Sequence, residues 1–110
     1  MNVELLWWEG CPSTERAVAA VREALDELGL AGVDVRMRQI VTDDDALDVG
    51  FVGSPTILID GEDLVPTAAD EPIGLSCRVY RRRDGRISPI PDPDDLREAL
   101  QRAAERAEVT

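Results

Sequence analysis

The chain has 110 residues, enough for one hydrophobic core, and we expect a single domain over residues 1–110. Its net charge of -11 argues against nonspecific nucleic-acid binding and against docking on an anionic membrane. The sequence contains no histidine, which excludes histidine-based acid–base chemistry and most zinc sites.

The distribution of apolar residues predicts neither a membrane span nor an export signal. No apolar run is long enough to cross a bilayer, and the N-terminus has no basic segment followed by a long apolar one. We therefore expect a cytoplasmic location. In that reducing compartment the two cysteines are more often catalytic, sensing or metal-binding than a permanent disulfide.

The first part of the chain predicts a β-α-β unit. Residues 3–8 are short and apolar, as expected of a buried central strand. Residues 12–28 predict a helix, with Pro12 at its first position and Gly29 at its C-terminal cap. Residues 33–41 alternate apolar and charged side chains, which predicts a half-exposed edge strand. A short strand–helix–strand connection implies a parallel pair with a right-handed crossover.

The middle of the chain predicts a second helix and a hairpin. Thr42 and the three aspartates after it are typical of a helix start, and the helix should end near Gly50. Residues 56–59 form a compact apolar strand. Asp60-Gly61 then predicts a tight turn into a returning strand over residues 62–65.

The C-terminal part predicts a loop over residues 66–75, an inserted hairpin and a final helix. Residues 77–82 alternate in polarity and are followed by the turn signal Asp84-Gly85. Residues 93–108 form an amphipathic helix that either Asp92 or Asp94 caps. The predicted fold class is α/β, a mixed β-sheet flanked by helices with the hairpin inserted before the last helix.

Cys11 lies in the segment WEGCPSTE, between the first strand and the first helix. At the helix N-cap, free backbone N–H groups and the helix dipole would favour its thiolate. Thr14 stands where a two-cysteine motif has its second thiol, and its hydroxyl can reach back to the sulfur. Glu9 and Glu15 oppose this effect. The alternative is that Cys11 is a small, inert residue at a tight turn.

The position of Cys77 depends on the hairpin. If Asp60-Gly61 turns the chain, residues 66–75 lie over the end of the sheet that holds Cys11, and a transient disulfide or a two-thiolate site becomes possible. If it opens a long loop instead, Cys77 begins a strand at the opposite end and no disulfide can form. A third interpretation, from alternation alone, is a core cysteine facing inward beside Val79.

Five arginines form the one basic cluster of an acidic chain. The cluster has two interpretations: it receives an anionic ligand or an acidic partner, or its members are solvated strand residues that deter edge pairing. Its members are Arg78, Arg81, Arg82, Arg83 and Arg86.

Several of these features together resemble the thioredoxin/glutaredoxin fold family. They are the order of elements, Cys11 at the strand-to-helix turn, and Gly53-Ser54-Pro55-Thr56 before an apolar strand. The resemblance covers roughly residues 1–65 and the last helix. It implies a cis Ser54–Pro55 bond beside the thiol, a neighbouring backbone that hydrogen-bonds an extended thiol substrate, and an aromatic wall from Trp7 or Trp8.

More narrowly, the chain resembles small bacterial proteins described as thioredoxin-family or alkylmercury-lyase-like. Shared features are the GCP start at residues 10–12, the GSPT segment, and LSCRxY at residues 75–80. Organomercurial lyases begin their first motif with Cys-x-x-Asp. Here Cys11-Pro12-Ser13-Thr14 lacks the aspartate, which argues against carbon–mercury protonolysis.

The resemblance and the residues together predict a thiol protein that needs no cofactor. Cys11 would be the nucleophile and Cys77 its resolving partner, acting on a small thiol or a protein disulfide. One alternative is a protein that binds a soft metal such as Hg(II), or handles organomercurials, with the same two sulfurs. The other is a non-enzymatic thioredoxin-fold interaction module. The supporting residues are Pro12, Ser13, Thr14, Ser54 and Pro55.

Overall fold

The computed structural model describes residues 1–65 and 72–109, and these form a mixed α/β structure. The element order follows the predicted one, although residues 66–71 of the predicted loop lie outside the described residues. The strands are β1 Val3–Trp7, β2 Val35–Gln39, β3 Thr56–Ile59, β4 Glu62–Asp63, β5 Tyr80–Arg81 and β6 Ile87–Ser88. The helices are α1 Thr14–Glu27, α2 Asp43–Val49 and α3 Pro93–Val109.

The main sheet has four strands in the order β2-β1-β3-β4, and β5 pairs with β6 in a separate two-stranded ribbon. β1 and β2 run parallel, with Val3 opposite Val35, and β3 runs antiparallel to β1. The central position of β1, the edge position of β2 and the parallel pairing are therefore confirmed. Beyond half-buried Val35, every residue of β2 is exposed, as expected of an edge strand.

Two apolar clusters cover the two faces of the sheet. Because successive strand residues point to opposite faces, Leu5 enters one cluster and Leu6 the other. The larger cluster packs α1 and α3 against the sheet through residues such as Val21, Leu25, Ile57, Leu96 and Leu100. The smaller one joins Leu6 to Ile40, Ala46 and Phe51 around α2. The sheet is therefore flanked by helices.

Local signals end the first two helices where the sequence predicts. After α1, Gly29 has φ 73° and Leu30 N–H donates to Leu25 O at 2.7 Å, which is a Schellman termination. Thr42 caps α2, its hydroxyl accepting from Asp45 N–H at 3.1 Å while the Asp45 side chain returns to the Thr42 backbone. Gly50 ends α2 with φ 67°.

The turn at Asp60-Gly61 is confirmed: both residues have positive φ, 54° and 84°, and β3 and β4 pair antiparallel across it. The turn at Asp84-Gly85 also forms, between β5 and β6. Asp92 caps α3, since its side chain accepts from Asp94 N–H at 2.9 Å. No helix in the described residues is long and apolar enough to cross a membrane.

A candidate dithiol site before the first helix

Cys11 lies in the connection between β1 and α1. Its N–H donates to Trp8 O at 2.9 Å, and the first helical hydrogen bond runs from Ala17 N–H to Ser13 O at 3.0 Å. Ser13 is therefore the N-cap, and the predicted N-cap position of Cys11 and helical position of Pro12 are wrong. A turn at Pro12-Ser13 separates the thiol from the helix. As the N-cap, Ser13 has a backbone N–H without a helical acceptor, and this N–H is free to hydrogen-bond the Cys11 sulfur.

Ser54 is the closest neighbour of Cys11 across the fold. The Cys11 thiol, 7% exposed, donates to Ser54 O at 3.4 Å, and Ser54 itself is fully buried. The Ser54 hydroxyl accepts from the backbone N–H of Trp8 at 3.1 Å, so the hydroxyl hydrogen is available to the Cys11 sulfur. The bond between Ser54 and Pro55 is cis, as the family resemblance implies.

The surroundings of Cys11 favour its thiolate. Burial raises the pKa of the thiol, but hydrogen bonds from the Ser54 hydroxyl, the Ser13 N–H, the Cys77 thiol and the Thr14 hydroxyl together hold that pKa below its ordinary value. The largest of these opposing effects is the Ser54 hydroxyl. The predicted thiolate stabilisation is therefore achieved by individual donors around the sulfur.

Thr14, Glu9 and Glu15 are also predicted to affect the pKa of Cys11, and only Thr14 does so. The Thr14 hydroxyl is buried and has no partner of standard hydrogen-bond geometry among the described residues. It nevertheless lowers the pKa of Cys11, so we interpret it as a donor that the thiolate engages. Glu9 and Glu15 are both exposed, and neither is a cause of the shift at Cys11.

Replacing Ser54 with alanine is expected to raise the pKa of Cys11, because the change removes its strongest hydrogen-bond donor. The pH dependence of iodoacetamide alkylation measures this pKa, in a Cys77→Ser background where Cys11 alone titrates. Ser76→Ala is the control, since Ser76 is exposed and its side chain is not among the groups that shift this pKa. An unchanged midpoint in Ser54→Ala would show that the hydroxyl does not stabilise the anion.

Cys77 reaches the same site through a short parallel pairing. Residues 74–78 run beside residues 51–54: Gly74 N–H donates to Phe51 O at 3.0 Å, and Ser54 N–H donates to Ser76 O at 2.8 Å. Cys77 forms a parallel β-bridge with Ser54. The interpretation that Cys77 begins a strand at the opposite end of the sheet is therefore wrong.

Cys77 is an exposed, free thiol, so the core interpretation is also wrong. Along this segment Arg78 and Tyr80 are buried, whereas Val79 is 61% exposed, the reverse of the predicted inward face. Partial loss of hydration raises the pKa of Cys77, and the charge of Cys11 and a hydrogen bond with it raise this pKa further. The two thiols therefore influence each other's pKa, which favours the proton on Cys77 over the proton on Cys11.

Arg78 is a buried structural residue and does not belong to a solvated cluster. Its guanidinium pairs with Asp63 at 2.8 Å, donates to Val65 O at 3.0 Å and to Thr56 Oγ1 at 3.3 Å. It also lies 4.6 Å from the centroid of the Tyr80 ring. Both interpretations of the basic cluster are therefore wrong for Arg78, because Asp63 compensates its charge inside the fold.

Two other arginines of the cluster are also paired within the chain. Arg83 contacts Asp95 and Glu98, each at 2.8 Å, on the surface of α3. Arg86 lies 3.7 Å from Asp84 across the second turn. Both arginines thus have a carboxylate partner within the chain, at the surface.

Tyr80 and Gly53 hold the Ser54–Pro55 segment against the strand of Cys77. The Tyr80 hydroxyl donates to Pro55 O at 2.5 Å, and burial raises the pKa of this phenol, which remains a neutral donor. Gly53 has φ 141°, and a Cβ there would lie 2.9 Å from Arg78 Cβ. Only glycine allows this close approach of the two segments.

Trp7 and Trp8 pack against different apolar clusters, on opposite faces of the sheet. Trp7 packs against the larger cluster, whereas Trp8 contacts the smaller one and lies over Gly10 so closely that a Cβ at Gly10 would clash with its ring. Trp8 therefore lies against the turn that carries Cys11.

The structure brings together Cys11, Cys77, Ser13, Thr14 and Ser54, with the Pro55 carbonyl held by Tyr80. Sequence reasoning missed Arg78, Tyr80 and Asp63 as the supports of this arrangement. The sequence did contain a signal for them. In LSCRxY the arginine and the tyrosine are two residues apart, so they share one face of an extended segment, and the acidic Asp63 follows the predicted turn.

The described residues contain no group of three or more histidine, cysteine, aspartate or glutamate side chains suited to a metal ion. A soft-metal site at this position would therefore rest on the two sulfurs. Comparison with protein-family models, with curated proteins and with solved structures finds no match to this chain.

Proposed function

We propose that this chain is a thioredoxin-like protein that performs thiol–disulfide exchange through Cys11, with Cys77 as the resolving thiol. The observation that carries the proposal is that Ser54 links two free thiols: its carbonyl oxygen accepts from the Cys11 thiol at 3.4 Å, and its backbone forms a parallel bridge with Cys77. The lowered pKa of Cys11 and the raised pKa of Cys77 agree with these two roles. The mixed sheet, its β-α-β unit and the cysteine before α1 support the fold assignment.

The first step is attack by the Cys11 thiolate on one sulfur of a substrate disulfide. A bond forms between Cys11 Sγ and that sulfur, and the substrate S–S bond breaks. The second substrate sulfur leaves with the electron pair and takes a proton from solvent. The Ser54 hydroxyl and the Ser13 N–H stabilise the attacking anion, and the lowered pKa increases the fraction of thiolate at any given pH.

The second step is attack by Cys77 on the mixed disulfide. Once Cys11 is bonded to substrate it carries no charge, so one cause of the raised pKa of Cys77 disappears. Cys77 then releases its proton to solvent and attacks Cys11 Sγ, and the remaining substrate sulfur leaves as a thiol. The substrate disulfide is reduced to two thiols, and the protein is oxidised to a Cys11–Cys77 disulfide. Two equivalents of a small-molecule thiol then reduce this disulfide to the dithiol and are themselves oxidised to their own disulfide.

The same pair of sulfurs favours one other function, capture of a soft thiophilic ion such as Hg(II) as cargo. Two adjacent thiolates suit soft cations. Carbon–mercury cleavage has less support, because it needs an acid to protonate carbon. Thr14 occupies the position of the lyase aspartate, and among the described residues no carboxylate hydrogen-bonds to either sulfur.

The experiment that tests the proposal combines pH-dependent alkylation with mass mapping. In the reduced protein, Cys11 should be alkylated with a midpoint below that of a blocked cysteine amide in the same buffer. Mild oxidation with bis(2-hydroxyethyl) disulfide should then link Cys11 to Cys77 within one chain, found as a single cross-linked peptide after digestion.

The contrary outcomes separate the alternatives. An ordinary midpoint without a linkage would favour a non-enzymatic interaction module. A low midpoint without a linkage would remove the role of Cys77 and leave monothiol chemistry. One Hg(II) bound per chain, lost in either Cys→Ser variant and accompanied by no disulfide turnover, would favour the metal-capture alternative.

A further inference from the structure

The backbone beside Cys11 is already occupied by the chain itself. Ser54 N–H donates to Ser76 O and Arg78 N–H donates to Ser54 O, each at 2.8 Å. The Ser54 carbonyl oxygen also accepts from the Cys11 thiol at 3.4 Å. The chain itself therefore uses the Ser54 N–H and one lone pair of that oxygen, and the second lone pair is released only when Cys11 becomes a thiolate. The implied role of this backbone in binding an extended substrate does not fit the structure.

The segment that occupies Ser54 is firmly anchored. The buried ion pair with Asp63 and the bond to Val65 O hold Arg78, and the hydroxyl of Tyr80 holds Pro55 O. The approach is close enough to require glycine at position 53. Residues 76–78 therefore form a fixed part of the site.

An extended polypeptide gains affinity for a protein mainly by adding a strand to a free backbone edge. The edge that the family resemblance assigns to this role is the Ser54 backbone, whose N–H and carbonyl oxygen are already bonded to Ser76 O and Arg78 N–H. A small disulfide needs no such pairing. It requires only access for one sulfur to Cys11, which is 7% exposed, beside exposed Cys77.

We propose that residues 76–78 act as a built-in strand on Ser54 and restrict Cys11 to small disulfides, excluding extended polypeptides. This inference rests on the proposed function. It selects the small-thiol class from the two substrate classes that the sequence predicts.

The test compares two probes with the same leaving group, 2-mercaptoethanol. One is a blocked single-cysteine amide in mixed disulfide with it, and the other is an uncharged nine-residue peptide with the same disulfide at its central cysteine. Both probes are reacted with the reduced Cys77→Ser variant. Mass spectrometry then follows the rate at which each forms a mixed disulfide with Cys11. Uncharged probes keep the net charge of -11 out of the comparison.

The rate ratio of peptide to single amino acid decides the outcome. We expect a ratio of one or below, together with slow hydrogen exchange at the Ser54 and Arg78 amides. A peptide that docked through two backbone hydrogen bonds would instead react about tenfold faster than the single amino acid. Such an advantage, or rapid exchange at these two amides, would overturn the inference.

Variants that loosen the segment provide a second readout. In Tyr80→Phe and Arg78→Ala, hydrogen exchange at the Ser54 amide should become faster, and the rate ratio of peptide to single amino acid should rise with it. Arg86→Ala is the control: it alters an exposed arginine, and both values should match those of the parent. Faster exchange without a higher ratio would contradict the proposal. Failure of both probes to react with Cys11 would refute the proposed function itself, whereas faster reaction of the peptide refutes only this inference.

Discussion

Serine at position 11 is expected to reduce disulfide exchange to the uncatalysed background, whereas serine at position 77 should stop the reaction halfway. Without the Cys11 thiolate there is no nucleophile of lowered pKa in the described site. Without Cys77 the first substitution proceeds, but no neighbouring thiol attacks the mixed disulfide. Mass spectrometry after bis(2-hydroxyethyl) disulfide treatment should find no stable adduct at position 11 in Cys11→Ser and one trapped adduct on Cys11 in Cys77→Ser.

Ser76→Ala is the matched control for both variants, because it changes an exposed neighbour and leaves the two sulfurs in place. It should cycle to the Cys11–Cys77 disulfide like the parent protein. Multiple turnovers in Cys77→Ser at the parental rate would show that an external thiol resolves the intermediate and that Cys77 is not required. Adduct formation in Cys11→Ser at the parental rate would make Cys77 the nucleophile.

Arg78→Ala is expected to lower the free energy of unfolding by about 3–5 kcal/mol, measured by urea denaturation. The substitution removes one member of a buried ion pair and leaves the carboxylate of Asp63, only 21% exposed, without its cation. It also removes the donor to Val65 O and the packing against the Tyr80 ring. The loss is a large share of the stability of a typical domain.

Arg86→Ala tests whether this loss is specific to the buried arginine. Arg86 belongs to the same basic cluster but its side chain is 85% exposed, so its removal should change stability by no more than about 0.5 kcal/mol. In the double variant Arg78→Ala/Asp63→Ala the loss should be smaller than the sum of the two single losses, because the charges are coupled. Equal effects of Arg78→Ala and Arg86→Ala would show that the ion pair contributes nothing.

The roles proposed for the two thiols follow from their different surroundings. Cys11 is buried among donors, so its anion is stabilised by groups that are already in place. Cys77 is exposed and faces the charge of Cys11, so it keeps its proton until that charge is lost. In the proposed exchange, these positions make Cys11 the first nucleophile and Cys77 the second.

Local sequence signals were sufficient for most of the secondary structure. The Thr42 cap, the glycines that end α1 and α2 and the Asp60-Gly61 turn each act within a few residues, so their effects do not depend on distant parts of the chain. The same holds for the amphipathic pattern of α3 and the edge position of β2. Placing Cys11 between β1 and α1 required no further information.

The sequence by itself therefore determined the order of elements and the location of the first thiol. Only the tertiary structure decided that Cys77 joins it, because residues 74–78 pair with residues 51–54 through hydrogen bonds that no local pattern records. It also reversed the predicted inward face of that segment. Alternation assumes that apolar side chains point inward, but Arg78 is buried because Asp63, fifteen residues earlier, neutralises its charge there.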